Sequence, residues 1–285
     1  MKGDAQRIAI RVSAAALLLA ALKGAIGLAT GSIAVLSSAL DSAGDALASF
    51  TNFLFLTVAA KPPDRDHQFG HGKAEHLAAL LQGAILLGSA IVLALRAAER
   101  IRAPRPIESS VAAIATMVFS IVATIFIARA LKRTAVREES SALAGDAIHY
   151  TSDIIANIAT IGALLLVRVT GNARFDAIFG LSVAAWIAWT SVYLIWNSAN
   201  DLMDAALPED EIAAIVEAIE RTDPAIRDYR ELRTRRAAGV RFIEFELCID
   251  REVSFERAHE ATEAVKSAIR ERFPRTIITI HAEPT

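Results

Sequence analysis

The chain has 285 residues, 54% of them hydrophobic and 22% charged, with a mean hydropathy of +0.39. It is too apolar for an ordinary soluble protein and too charged to lie in lipid throughout. A formal net charge of -2 gives no footprint for nucleic acid, and the single cysteine, Cys248, excludes an internal disulfide framework and any paired-cysteine metal site, so metal ligands must be His and carboxylate.

The charges concentrate before residue 12, around 61–76, 96–108 and 129–139, and throughout the chain beyond about 204. Between them lie apolar stretches of the length that crosses a bilayer, roughly 20 helical residues. Six are expected, at about 8–29, 33–60, 77–97, 111–131, 142–168 and 176–198. The first is long enough to be a full membrane helix and ends in no convincing cleavage site, so it is expected to be retained. An even number of spans puts both termini on one side. Lys2, Arg7, Lys61, Arg65, Lys73, Lys132, Arg133 and Arg137 mark that side as cytoplasmic, against Arg100, Arg102 and Arg105 opposite. Gly24 with Gly27, and Gly83 with Gly88, are expected to let helices approach closely.

A soluble domain is expected from 204 to 285, following a membrane domain over 1–203. Leu207-Pro208-Glu209-Asp210 opens an amphipathic helix running to Glu220. Strand character follows at 227–235 and in the alternating run Val240 to Ile249, with Ala237-Ala238-Gly239 as the turn between them. A second helix, 254–273, stops at Pro274, and Thr276 to Ile280 makes a last strand. The order αββαβ in about 80 residues fits a small α+β sheet with both helices on one face, and a domain of that size is expected to pair with another copy.

Two pairs of residues in the apolar segments carry the chemistry. Asp41 and Asp45 are four apart in the second segment, and His149 and Asp153 are four apart in the fifth. That spacing puts each pair on one helix face. Ionisable side chains at membrane depth are costly and mark functional sites by default, although carboxylates at a water-filled cleft remain the plain alternative. Together the four form a His-plus-three-carboxylate set that suits a tetrahedral divalent cation of the zinc type; Fe²⁺, Co²⁺ and Cd²⁺ fit too, whereas Mg²⁺ and Ca²⁺ prefer oxygen throughout. Between the second and third segments, Asp64, His67 and His71 are the most economical ligand trio for a second cation, or else parts of a solvated loop. In the soluble domain, His259 lies on the second helix, His281 and Glu283 alternate on the last strand, and Glu246 sits on a strand expected to neighbour it.

These residues resemble the cation diffusion facilitators, in particular the bacterial zinc and iron type of divalent-metal exporter. The resemblance rests on Asp41-xxx-Asp45, His149-xxx-Asp153 and Phe69-Gly70-His71-Gly72-Lys73-Ala74-Glu75, supported by Glu231-Leu232-Arg233-Thr234-Arg235 and Ile280-His281-Ala282-Glu283-Pro284. It implies a homodimer in the bacterial inner membrane, with six membrane helices, a ferredoxin-like cytoplasmic domain, and export of a divalent metal in exchange for protons. It also implies that Asp41, Asp45, His149 and Asp153 form the transport site, and Asp64, His67 and His71 a loop site. Lys73 would pair with an acid near the membrane boundary, such as Asp204, to hold the dimer. At the cytoplasmic site this chain departs from the pattern. The resemblance leads one to expect His where Arg230 and Glu246 stand and Asp where Glu283 stands, leaving only His259 and His281 as direct matches, so one weak metal or none is expected there.

Proton exchange also follows from chemistry, since a metal needs ionised carboxylates and neutral imidazole, so that binding releases protons. No prosthetic group is implied, and the metal is cargo. A membrane-bound metal sensor without flux is the competing reading, although a sensor has no need of ligands at bilayer depth. A metalloenzyme fits less well, because no separate general base stands beside the four residues.

Overall fold

The computed structural model describes residues 2–30, 33–102, 111–172 and 174–285; Arg105, invoked above for orientation, lies outside them. The chain divides into two compact units, Met1–Ala199 and Asn200–Thr285. The composition change places the boundary at 203/204. The division falls a few residues earlier, within the last turn of the helix that ends at Leu202.

The first unit is helical: α1 (Lys2–Thr30), α2 (Ile33–Ala59), α3 (Ala74–Arg102), α4 (Val111–Glu138), α5 (Ser141–Thr170) and α6 (Arg174–Leu202). At 1.5 Å per residue, each is about 40 Å long, enough to cross a bilayer with some tilt. Among the described residues, α1 over Asp4–Ala29, α3, α5 and α6 are apolar enough to do so by composition alone. Local signals set the ends of α5: the Ser140 side chain accepts from Leu143 N at its start, and Gly171, at φ 70, closes it with an N–H to Val167 O.

Packing is by small residues. Ala9, Val12 and Ala16 of α1, Ala46 and Leu56 of α2, Ala128, Leu131 and Ala135 of α4, and Ala142, Leu143, Ala147 and Tyr150 of α5 form one buried cluster. Leu86 and Ala90 of α3 join Val183 and Ile187 of α6 in a second, against Ile148 and Ile155 of α5. Bulky apolar side chains such as Leu18, Leu28, Leu95, Phe126, Trp189 and Trp196 point outward. Small inside and large outside is the arrangement lipid favours, because lipid solvates large apolar groups while close backbone approach gains dispersion contacts. Gly83 is such an approach: a Cβ there would lie 2.7 Å from Ile195 Cγ1 of α6 and 3.3 Å from Ser191 O. Gly27 likewise abuts Leu36, whereas Gly88, expected to pair with Gly83, faces open space.

The second unit follows the expected αββαβ order: α7 (Glu209–Thr222), β1 (Ile226–Ala237), β2 (Val240–Ile249), α8 (Phe255–Arg272) and β3 (Thr276–Pro284). The sheet order is β1-β2-β3, antiparallel between β1 and β2 and parallel between β2 and β3. Ala238 and Gly239 both have positive φ, which suits a two-residue hairpin turn of the primed type. β1 is longer than the predicted 227–235 and carries an irregularity between Arg230 and Arg233, where Glu231 has φ 49. Ile243, Phe245, Leu247 and Ile249 line one face of β2 and pack with Ile215 and Ile219 of α7 and Val265 and Ile269 of α8. Both helices therefore cover the same face. Glu211 of α7 grips Arg241 of β2 through two bonds, 2.7 and 2.9 Å, beneath which the guanidinium lies 5.0 Å from the Phe273 ring centre. This forked bond holds the Glu211 carboxyl below its usual range.

Candidate metal centre

α2 and α5 each carry ligand-type side chains one turn apart, and three of these four come together between the two helices. His149 Nε2 lies 3.0 Å from Asp45 Oδ1 and 3.8 Å from Asp153 Oδ2. One ligand atom from each of these three residues falls within 4.8 Å of the others. His149 is buried and both carboxylates are half-buried. A single divalent ion placed among them would bridge the two helices at once.

Asp41 stands outside this trio and is exposed, so the structure assembles three of the four residues the spacing predicts. The reason is axial: four residues along a helix is a rise of about 6 Å, and the imidazole of His149 reaches Asp45, one turn farther along α2. Asp41 feels instead the charges of Asp45, Lys23 and Arg96.

Around the trio lie polar groups that the sequence reading passed over. Ser49 of α2 donates to Asp146 Oδ1 at 3.3 Å and shares a 3.0 Å hydrogen bond with the Tyr150 hydroxyl. Ser49, Asp146 and Tyr150 are all buried, and the Tyr150 ring stands edge-on to His149 at 5.4 Å. Lys23 of α1 is also buried and donates to Ser42 Oγ at 2.7 Å. Their signal was available, because Asp146 and Lys23 are charges inside apolar helices, as Asp41 and Asp45 are.

The loop trio also comes together. Asp64 Oδ1 accepts from the backbone N–H groups of Asp66 at 3.0 Å and His67 at 2.7 Å, while His67 and His71 approach the same carboxylate at 3.5 and 3.3 Å. The His67 and His71 rings lie 4.5 Å apart, and ligand atoms of all three fall within 4.8 Å. Gly70, at φ 83 beside Pro63, provides the left-handed bend that turns His71 back toward Asp64. The His67 backbone N–H, helped by that of Asp66 and by the neighbouring imidazoles, holds the Asp64 carboxyl below the usual carboxylate range.

The cytoplasmic candidates are divided. His281 pairs in register with Glu246, and its Nε2 lies 3.7 Å from Glu283, so these three share the sheet face away from the helices. His259 is an exposed residue of α8, the helix on the other face. Within one chain the four do not form one ligand group. Lys73 precedes α3 in the first unit, and Asp204 of the second unit lies 3.4 Å from Arg235 Nη1.

Residues 9–203 match the cation efflux transmembrane domain, and residues 207–285 match the cytoplasmic domain of cation efflux proteins. Similar proteins include a cation-efflux pump FieF of Cronobacter sakazakii, 35% identical over 100% of this chain and 95% of its own length. Another of that name, from Shewanella oneidensis, is 35% identical over 98% of this chain and 94% of its own. Among solved structures, a C-terminal domain titled MamM-CTD 215-293 is 32% identical and covers 27% of this chain and 98% of its own, with a TM-score of 0.26.

Proposed function

The chain belongs to the cation efflux family, the cation diffusion facilitators, and from that premise we propose a metal-for-proton exchanger built around Asp45, His149 and Asp153. It exports divalent metal cations. The observation that carries the site assignment is the convergence of one imidazole and two carboxylates from α2 and α5, with ligand atoms within 4.8 Å. This donor set favours zinc-like cargo, Zn²⁺ first, with Fe²⁺, Cd²⁺ and Co²⁺ compatible.

Exchange has an atomic basis in His149 Nε2. That nitrogen lies 3.0 Å from Asp45 Oδ1, and in the tautomer that carries its hydrogen there it donates to the carboxylate. A metal needs the same lone pair, so the hydrogen must leave before the ion binds, and its return displaces the ion. Asp41 completes the coordination as fourth ligand when α2 shifts along α5. The site is exposed to each side in turn by helices rocking around it.

The same reading takes α1 to α6 as six spans with both termini in the cytoplasm of a bacterial inner membrane. The second unit is then a ferredoxin-like cytoplasmic domain that pairs two copies, with Lys73 and Asp204 at the hinge of the dimer. Asp64, His67 and His71 form an accessory cation site, and Glu246, His281 and Glu283 a weak one that His259 joins only from a second chain. Zinc flux into proteoliposomes carrying an imposed pH gradient, compared between the wild-type chain and the Asp153→Ala variant, tests the reading. Ligands at membrane depth favour transport over a flux-free sensor, which would bind zinc and move none.

A further inference from the structure

Between Arg11 and its C-terminal end, α1 carries one charged side chain, Lys23. The residue is 5% exposed, and its Nζ donates to Ser42 Oγ at 2.7 Å. Ser42 belongs to α2, one residue after Asp41 and three before Asp45. The carboxylates whose field acts on the ammonium are Asp45, Asp153 and Asp41, in that order. A lone lysine in an otherwise apolar helix is costly, and a neutral hydroxyl offsets little of that cost. Burial acts against the ammonium, and the negative field of Asp45, Asp153 and Asp41 offsets part of that cost.

We infer that Lys23 is an affinity-setting residue of the transport site: a fixed cation on α1 that neutralises part of the empty site and repels the cargo once bound. The inference rests on the assignment of Asp45, His149 and Asp153 as that site. Three carboxylates and one imidazole would leave a bound divalent ion with a surplus negative charge, and such a site holds its cargo too tightly for turnover. A transporter needs binding favourable enough to load and weak enough to release. Coulomb energy scales with the product of charges, so Lys23 opposes a divalent cation twice as strongly as a single proton at the same place. Its charge thus weakens the site's hold on the metal more than its hold on any one proton. Ser42 acts as a positioning residue, holding the ammonium beside the carboxylates without ligating the metal.

The test is zinc titration calorimetry of the full-length protein at one pH, together with initial rates of zinc uptake in proteoliposomes. Asp153→Ala identifies which binding component belongs to the membrane site. For that component, Lys23→Met is expected to tighten zinc by about tenfold or more, the scale of one unit charge acting across a few ångströms of partly solvated interior. KM and kcat should fall together, because release becomes slow. Lys23→Arg, which keeps the charge, is expected to restore the wild-type dissociation constant to within about threefold, and Lys23→Gln replaces Lys23→Met where the latter does not fold. Unchanged or weaker binding in a folded neutral variant overturns the inference, as does failure of both neutral variants to fold while Lys23→Arg folds, since the charge would then serve folding alone. If Asp153→Ala leaves every zinc component intact, the site assignment itself fails, which separates the two results.

Discussion

His149 Nε2 lies 3.0 Å from Asp45 Oδ1, joining α5 to α2 through an imidazole–carboxylate contact. The two helices are tied a second time by Ser49, which bonds Asp146 and Tyr150 roughly a turn away. Asp45 of α2 and His149 of α5 are thus set against each other by a second buried polar contact that includes neither.

Ser49→Ala removes the hydroxyl that Asp146 and Tyr150 share. Leaving a buried polar group unsatisfied costs about 1–3 kcal/mol, so the variant should melt earlier in detergent. In a double-mutant cycle with Tyr150→Phe the losses should be less than additive. Additive losses would show that the three side chains do not act as one network.

The α3–α6 contact gives a prediction with an internal control. Gly83→Ala puts a methyl group 2.7 Å from Ile195 Cγ1, and the helices must part or Ile195 must change rotamer, at a cost of about 1–3 kcal/mol. Gly88→Ala, on the same helix with open space around it, should be neutral or slightly stabilising. Equal thermal shifts for the two variants would contradict the packing.

Acid should weaken the second unit through Glu211. Its carboxyl is held below the usual range by the Arg241 hydrogen bonds, so the group binds protons less readily folded than unfolded. The stability it contributes is fully present above the unfolded carboxylate value, near 4.3, and is lost as pH falls through the lower folded value. Glu211→Gln should flatten this part of the stability curve between about pH 5 and 3 and lower stability at neutral pH by about 2 kcal/mol, because Arg241 stays buried without its partner. Unfolding monitored in the full chain by hydrogen exchange of β2 amides reads both effects. A curve parallel to that of the wild type would show that the pair does not contribute.

At the loop, Asp64→Ala removes both the metal-type oxygen and the acceptor for the His67 and Asp66 backbone N–H groups. Zinc titration of this variant should lose one component while the component sensitive to Asp153→Ala persists. Loss of both together would mean that the loop and membrane sites are not independent.

Much of this architecture was legible in the chain because its signals are local. Apolar runs of membrane length gave α1 to α6 with ends a few residues short, since helices continue beyond the apolar stretch, as α6 does to Leu202. The alternation from Val240 to Ile249 gave β2 to the residue. Spacing at i and i+4 put His149 and Asp153 on one face of α5, and that face meets Asp45 of α2. It also promised Asp41, which lies one turn away, because spacing fixes the face of a helix but not the axial offset between two helices. Glycine spacing held only in part: Gly83 meets α6, whereas Gly88, five residues on and therefore on another face, meets nothing within 4 Å. His259 is likewise on the far side of the sheet from His281, a relation of layers that sequence order does not carry. Lys23 was missed because it acquires its partner only across helices, and Asp146, three residues before His149, because the i and i+4 pairing did not include it.

The most direct test of the central assignment is zinc flux into sealed proteoliposomes under an imposed pH gradient, comparing wild type with Asp45→Ala, His149→Ala and Asp153→Ala. Uptake driven by the gradient in the wild type and reduced by about 100-fold or more in each variant, with all four proteins folded, is the predicted result. Wild-type flux in any one of the three variants would contradict the account.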